Sequence, residues 1–137
     1  MSYDPLNRLS RLTNTKGDQV LSVYNYQYDA NGNTTGIKEQ VQSGAAQTST
    51  YLYDKLNRLT VVKRVDGSET QYTYDLRGNR RTMSDTQELP ETEPASYTYD
   101  LDDRLTSVTG SKGKTVIQYL SDGLRYQKVH GTVTTHY

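Results

Sequence analysis

Two residue types recur in this chain at spacings that could do chemistry. Aspartates stand at Asp4, Asp29, Asp54, Asp75 and Asp100, and the last four close the strings Tyr26-Gln27-Tyr28-Asp29, Tyr51-Leu52-Tyr53-Asp54, Tyr72-Thr73-Tyr74-Asp75 and Tyr97-Thr98-Tyr99-Asp100. A truncated copy, Tyr3-Asp4, opens the chain, and a degraded copy, Ile117-Gln118-Tyr119-Leu120, lies near its end. A row of carboxylates along one sheet edge is the chemistry of calcium, and a row of tyrosine rings is that of a sugar-stacking platform. The calcium reading fails on local detail. Asp29-Ala30-Asn31-Gly32-Asn33 has the outline of an EF-hand loop, but its glycine comes two residues early and the distal bidentate glutamate is missing. Turn formation is the stronger reading of the aspartates.

The remaining candidates are weaker. His130 and His136 are the two histidines, without a third ligand for a metal and without a motif that places a serine or carboxylate beside them. They read as solvated, and no metal, cofactor or catalytic residue is expected. Lys63, Arg64, Arg77, Arg80 and Arg81 form a basic stretch near Tyr72 and Tyr74, which is a pattern for single-stranded nucleic acid. The acidic segment that follows, Glu88 to Glu93, makes cross-strand charge pairing the better account. Asn33-Thr34-Thr35 matches a glycosylation sequon and is given no weight.

Three residues after each aspartate stand Asn7, Gly32, Asn57, Gly78 and Asp103, with Gly123 in the degraded copy. These residue types tolerate positive φ. Aspartate first and a left-handed residue fourth predict a type I turn with a G1 bulge, near 4–7, 29–32, 54–57, 75–78, 100–103 and 120–123. Before each turn, tyrosines two apart share one face of a strand, and Gln27, Leu52, Thr73, Thr98 and Gln118 take the other. After it come Leu9 and Leu12, Leu59 and Val62, Leu105 and Val108, with Ile37 and Met83 at the second position in two further copies. Thr34, Arg80 and Arg125 break the pattern at the first position. Between repeats, Val65-Asp66-Gly67-Ser68 reads as a tight two-residue hairpin. The segments 15–18, 43–46, 110–113 and 130–132 read as loose polar turns, and 87–94 as a mobile surface loop. The repeats, measured between left-handed positions, run 25, 25, 21, 25 and 20 residues. The expected fold is all-β, an antiparallel meander of roughly a dozen short strands in one repeat array over 1–137.

Composition bounds the function. Lys plus Arg and Asp plus Glu are both 16, so the net charge of zero favours neither nucleic acid nor an anionic membrane. No apolar run approaches a membrane span, the sequence reads as lacking a signal peptide, and Met1-Ser2 followed at once by half a repeat suggests an internal piece. The absence of cysteine removes disulfides and thiol chemistry. Hydrophobic content of 32%, without Phe or Trp, is low enough to suggest disorder, but 13 tyrosines in register argue for order. A one-sided aromatic sheet also needs something over its apolar face.

The repeated Tyr-x-Tyr-Asp, with Asp54-Lys55-Leu56-Asn57-Arg58-Leu59 and Tyr119-Leu120-Ser121-Asp122-Gly123-Leu124-Arg125, resembles the YD, or Rhs, repeat from Tyr3 to about Tyr137. The resemblance implies bacterial Rhs and cell-wall-associated proteins, toxin-complex subunits and teneurins, in which the repeats form a β-strip curving into a hollow shell, often around a C-terminal toxin. The family's self-cleaving closing segment is not found in this sequence. On this resemblance the chain is expected to be a non-enzymatic slice of shell wall, part of a secreted or surface-exposed bacterial protein. Its partners would be flanking repeats or itself, and a toxin domain of the parent. The alternative is a carbohydrate-binding or wall-adhesion module. The tyrosine face (Tyr26, Tyr28, Tyr51, Tyr53, Tyr72, Tyr74, Tyr97, Tyr99, Tyr119) would then meet a cell-surface glycan.

Overall fold

The computed structural model describes residues 1–86 and 95–137. The acidic segment expected to be a surface loop lies outside the described residues. The chain divides into two compact units, Met1–Glu69 and Thr70–Tyr137. The first holds β1 (Ser2–Tyr3), β2 (Leu9–Lys16), β3 (Gln19–Tyr28), β4 (Thr34–Val41), β5 (Gln47–Tyr53) and β6 (Leu59–Lys63). The second holds β7 (Glu69–Tyr74, which begins on the last residue of the first unit), β8 (Arg80–Asp85), β9 (Ala95–Tyr99), β10 (Leu105–Gly110), β11 (Gly113–Tyr119), β12 (Arg125–His130) and β13 (Val133–His136). Within each unit every strand pairs antiparallel with its neighbours in chain order, and no helix occurs among the described residues. The all-β hairpin meander expected from the sequence is the observed fold.

The ladders explain an odd spacing. In every copy the tyrosine before the turn pairs with the residue five beyond the turn's first corner, as in Tyr3↔Leu9, Tyr28↔Thr34, Tyr53↔Leu59, Tyr74↔Arg80, Tyr99↔Leu105 and Tyr119↔Arg125. The register then slips by one, and Ser10, Thr35, Thr60, Arg81, Thr106 and Tyr126 are left unpaired as β-bulges. In an unbroken strand, Leu59 and Val62 would face opposite ways. The bulge restores the phase, so Val62 lies across from Tyr51, Ile37 from Tyr26, Met83 from Tyr72 and Val108 from Tyr97. Threonine is suited to the bulge position because its hydroxyl bonds a carbonyl across the pair: Thr60 Oγ1 donates to Leu52 O at 3.1 Å, and Thr106 Oγ1 to Thr98 O at 3.1 Å.

The two faces differ as the alternation predicts. Gln27, Leu52, Thr73, Thr98 and Gln118 are exposed, and the flanking tyrosines are half-buried. Burial is nevertheless thin. Among the described residues Ile117 is the one buried hydrophobic side chain, and Ser22, Ser68, Thr70 and Ser107 are buried polar ones. The sheet is held by its ladder and by side-chain hydrogen bonds more than by an apolar core.

The returns reverse the expectation. The segment at 64–68, read as a tight two-residue hairpin, closes as a wider loop: Arg64 N donates to Ser68 O at 2.8 Å and Gly67 N to Arg64 O at 3.1 Å. The cause is Asp66, whose Oδ1 accepts Ser68 N at 2.9 Å, with Gly67 left-handed at φ 83°. Three segments read as loose are the tight ones, with two-residue loops inside Lys16↔Gln19, Gly110↔Gly113 and His130↔Val133. Each carries a glycine of positive φ (Gly17, Gly113, Gly131) where the strand direction reverses. The return between Val41 and Gln47 is wide, with Gln42 at φ 48°.

Candidate functional site: a row of interlocked turns

The recurrent aspartates form one edge of each unit, and each carboxylate is committed within its own turn. Asp4 Oδ1 accepts the backbone N–H groups of Leu6 and Arg8, both at 2.9 Å, and its Oδ2 accepts Arg8 Nε at 2.7 Å. Asp54 takes Leu56 N, Arg58 N and Arg58 Nε at 2.9, 3.0 and 2.7 Å, and Asp100 takes Asp102 N, Arg104 N and Arg104 Nε at 3.0, 2.9 and 2.7 Å. In the turns at 29–33 and 75–79 asparagine replaces the arginine: Asn33 Nδ2 reaches Asp29 Oδ2 at 2.9 Å, and Asn79 Nδ2 reaches Asp75 Oδ2 at 3.2 Å. Backbone bonding of the aspartate is otherwise the same, through Asn31 N, Asn33 N, Arg77 N and Asn79 N. The closing bonds from the left-handed residue, such as Asn7 N to Asp4 O at 2.9 Å and Gly32 N to Asp29 O at 3.2 Å, complete a type I turn with a G1 bulge.

This bonding holds the carboxyls of Asp4, Asp54 and Asp100 below the ordinary aspartate range, chiefly through the arginine backbone N–H in the same turn. At Asp29 the Asn33 amide is the main cause. At Asp75 desolvation is the largest single influence and pushes upward, but the bonds from Asn79, Arg77 and Gly78 together outweigh it.

The turns come in two kinds that alternate along the chain. Arginine turns at 4–8, 54–58 and 100–104 carry Asn7, Asn57 or Asp103 at the left-handed position; asparagine turns at 29–33 and 75–79 carry Gly32 or Gly78. The turn at 120–124 keeps the glycine but has Leu120 for the aspartate and Leu124 for the asparagine, and Asp122 Oδ1 caps Leu124 N at 3.0 Å instead.

Each kind reaches the next turn in its unit with different atoms. Arg8 Nη1 donates to Asp29 O at 3.0 Å while its guanidinium lies 4.6 Å from the Tyr28 ring centre. Arg104 stacks over Tyr119 at 5.1 Å. From asparagine turns, Asn33 Nδ2 and Asn31 Nδ2 donate to Asn57 Oδ1 at 2.8 and 2.9 Å, and Asn79 Nδ2 donates to Asp103 Oδ1 at 2.7 Å. Arg77 Nη1 adds a bond to Leu101 O at 2.6 Å.

The tyrosines before the aspartates tie the strands below. Tyr28 Oη donates to Leu9 O at 2.8 Å, Tyr53 Oη to Thr34 O at 2.9 Å and Tyr119 Oη to Leu105 O at 2.9 Å. Each carbonyl sits two residues beyond the last ladder pair between the strands concerned, namely Arg11↔Asn25, Gly36↔Thr50 and Ser107↔Val116. The hydroxyl satisfies an acceptor that the diverging backbones leave without a ladder partner. Burial raises the Tyr53 and Tyr99 hydroxyls above the usual phenol range. Tyr26 and Tyr51 line a shallow hollow of about 280 Å³ in the first unit with Tyr24, Ile37 and Glu39, where Tyr24 Oη donates to Glu39 at 2.6 Å. Tyr72 and Tyr97 flank Arg80, whose guanidinium is 5.9 and 4.4 Å from their ring centres.

The structure brings together the turn and tyrosine residues singled out in the sequence, along with Arg8, Arg58, Arg104, Asn33 and Asn79, which the sequence reading passed over. Their signal was the paired exchange of Asn/Asp-Arg with Gly-Asn at the fourth and fifth turn positions. The two histidines are exposed and lie apart along β12 and β13, with His130 Nδ1 bonded to Thr115 Oγ1 at 2.8 Å. Of the basic stretch, Lys63 pairs with Glu69 at 3.3 Å and Arg77 with Asp103 at 3.4 Å; Glu88 to Glu93 lie outside the described residues. Among the described residues no group of three His, Cys, Asp or Glu could hold a metal ion, and no helix is long and apolar enough to cross a membrane.

Residues 1–128 match the family described as Teneurin YD-shell. The chain belongs to this YD-shell family. No curated protein matches it. Among solved structures this YD-shell chain is similar to one described as TcdB2-TccC3 without hypervariable C-terminal region, with a TM-score of 0.76, 13% identity and 93% of the chain covered. It is also similar to one described as TcdB2-TccC3-Cdc42, with a TM-score of 0.75, 13% identity and the same coverage. It spans 6% and 7% of those chains, and at this identity the likeness is one of fold.

Proposed function

We propose that this YD-shell chain is a non-catalytic wall segment of an encapsulating β-shell in a secreted or surface-exposed bacterial protein of the toxin type. It would build wall by joining flanking repeats, with a toxin domain of the parent as cargo. The observation that supports this reading most directly is the commitment of the recurrent polar side chains to neighbouring turns. Aspartate, arginine and asparagine bond within a turn and to the next, and the tyrosine hydroxyls bond backbone, which is the economy of a scaffold and not of a reaction centre. Family membership and the fold shared with toxin-complex chains support the same reading.

The test sets stability against binding. Replacing Tyr26 and Tyr51 together by Ala should lower the melting temperature, since each is a half-buried aromatic lost. The parent chain should show no saturable binding to purified bacterial cell wall or a glycan panel. Saturable binding that disappears in the double variant while its melting curve stays in place would overturn the wall reading in favour of an adhesion module.

A further inference from the structure

One edge of the first unit repeats an arrangement filled elsewhere in that unit. Tyr53 and Asn57 stand before and within an arginine turn, and both are bonded by two successive residues of the preceding hairpin. Asn33 Nδ2 donates to Asn57 Oδ1 at 2.8 Å, and Thr34 O accepts Tyr53 Oη at 2.9 Å. Tyr3 and Asn7 hold the same two positions around the arginine turn at 4–8, with Asn7 left-handed at φ 61° beside Asn57 at 59°. Here neither side chain has a partner among the described residues. Tyr3 is 58% exposed, while Tyr53 is half-buried, and Asn7 is exposed. The strand that carries Tyr3, β1, has β2 as its ladder partner within the unit.

We infer that the β1 edge is a docking edge for a YD hairpin whose turn reads Asp-X-X-Gly-Asn-X, the asparagine amide filling Asn7 Oδ1 and the next carbonyl accepting Tyr3 Oη. This deepens the wall-segment reading and rests on it, because it names which repeat a wall can add at this edge. Alternation of the two turn kinds is the reason for the choice. An arginine turn offers an acceptor at its left-handed position, Asn57 or Asp103, and the asparagine turn before it offers the amide, Asn33 or Asn79. A second copy docked through its last turn would not serve. That turn carries Leu124 where the amide is needed, so Asn7 would stay unfilled.

The experiment extends the full chain by one hairpin drawn from itself, with residues 19–51 joined to Ser2. Ser2 then takes the place of Leu52 after the grafted Tyr51, and Tyr3 that of Tyr53. Hydrogen exchange should show the grafted strands protected. Asn7→Ala and Tyr3→Phe should each lower the melting temperature of the extended chain by ~2–4 °C, the size expected for one hydrogen bond in a chain of this length. Tyr3→Phe should leave the parent chain unchanged. Asn7→Ala should cost the parent only the strain of a left-handed alanine, which the extended chain shares, so the ~2–4 °C is read as the excess over the parent. Changing the grafted copies of Asn31 and Asn33 to Asp and Leu, the residues of the turn at 120–124, should abolish the excess effect of Asn7→Ala, since both amides would otherwise reach its Oδ1. Protected grafted strands with no excess loss from Asn7→Ala or Tyr3→Phe over the parent chain would overturn the inference and leave the wall segment standing. Grafted strands that exchange freely would overturn both.

Discussion

Arginine turns and asparagine turns share one backbone plan, yet their left-handed residues sit in different places. Asn7, Asn57 and Asp103 lie at φ 61°, 59° and 60°, while Gly32 and Gly78 lie at 91° and 95°; Gly123, in the turn at 120–124, which is of neither kind, lies near them at 88°. The first values fall in the narrow left-handed basin that Asn and Asp tolerate, and the second fall outside it, where glycine is at ease. Residue choice at this position is therefore not interchangeable turn chemistry. Both kinds reach the next turn from the residue after this position, but an arginine turn can also carry a side chain here, where Asn57 and Asp103 serve as acceptors, and an asparagine turn cannot. The difference makes the period two repeats in turn chemistry, with a direction of bonding at the junctions within each unit.

The comparison can be broken most forcefully at the glycine. Gly78→Val puts a β-branched residue at φ 95° and should cost about 1–3 kcal/mol, while Asn57→Gly, which relaxes the backbone and removes one acceptor, should cost less. Urea denaturation of both variants measures the gap, and equal losses would refute the φ argument. A smaller effect isolates the junction. Asn33→Ala and Asn57→Ala should be non-additive, with a coupling of about 0.5–1 kcal/mol in a double-mutant cycle, because they remove the same bond. Full additivity would mean that the turns stand side by side without interacting.

The smallest expected change is in pH dependence, and its sign is fixed. Asp4, Asp29, Asp54, Asp75 and Asp100 are all lowered in the folded chain, so the unfolded chain takes up protons first as pH falls. Their contribution is present above the unfolded value of about 3.9 and is lost as pH drops from there through the folded values. Stability followed from pH 7 downward should hold level and then decline in that range. Asp100→Asn should shrink the decline.

The turns and strands were legible because their signals are local. Aspartate and a left-handed residue three positions on determine a loop by their own backbone preferences, and Tyr-x-Tyr shows a face by simple alternation. The bulge was written in the sequence as Leu59 and Val62, three apart, a spacing that suits neither a plain strand nor the tyrosine face across from it. The loop at 64–68 escaped because Arg64 stands in the aspartate's place and the carboxylate has moved to Asp66. Arg8 and Asn33 escaped for a different reason. What they bond is brought near by the meander, 21 and 24 residues further along the chain, and no window around either residue contains it.

The scarcity of buried apolar side chains, with Ile117 alone among the described hydrophobics and hydroxyl residues filling other buried positions, has a thermodynamic consequence. Heat capacity of unfolding rises with the apolar surface exposed and falls with the polar surface exposed. This sheet releases little of the first and a good deal of the second, so its heat-capacity increment per residue should be small. A small increment flattens the stability curve. The segment would keep much the same modest free energy from cold to warm.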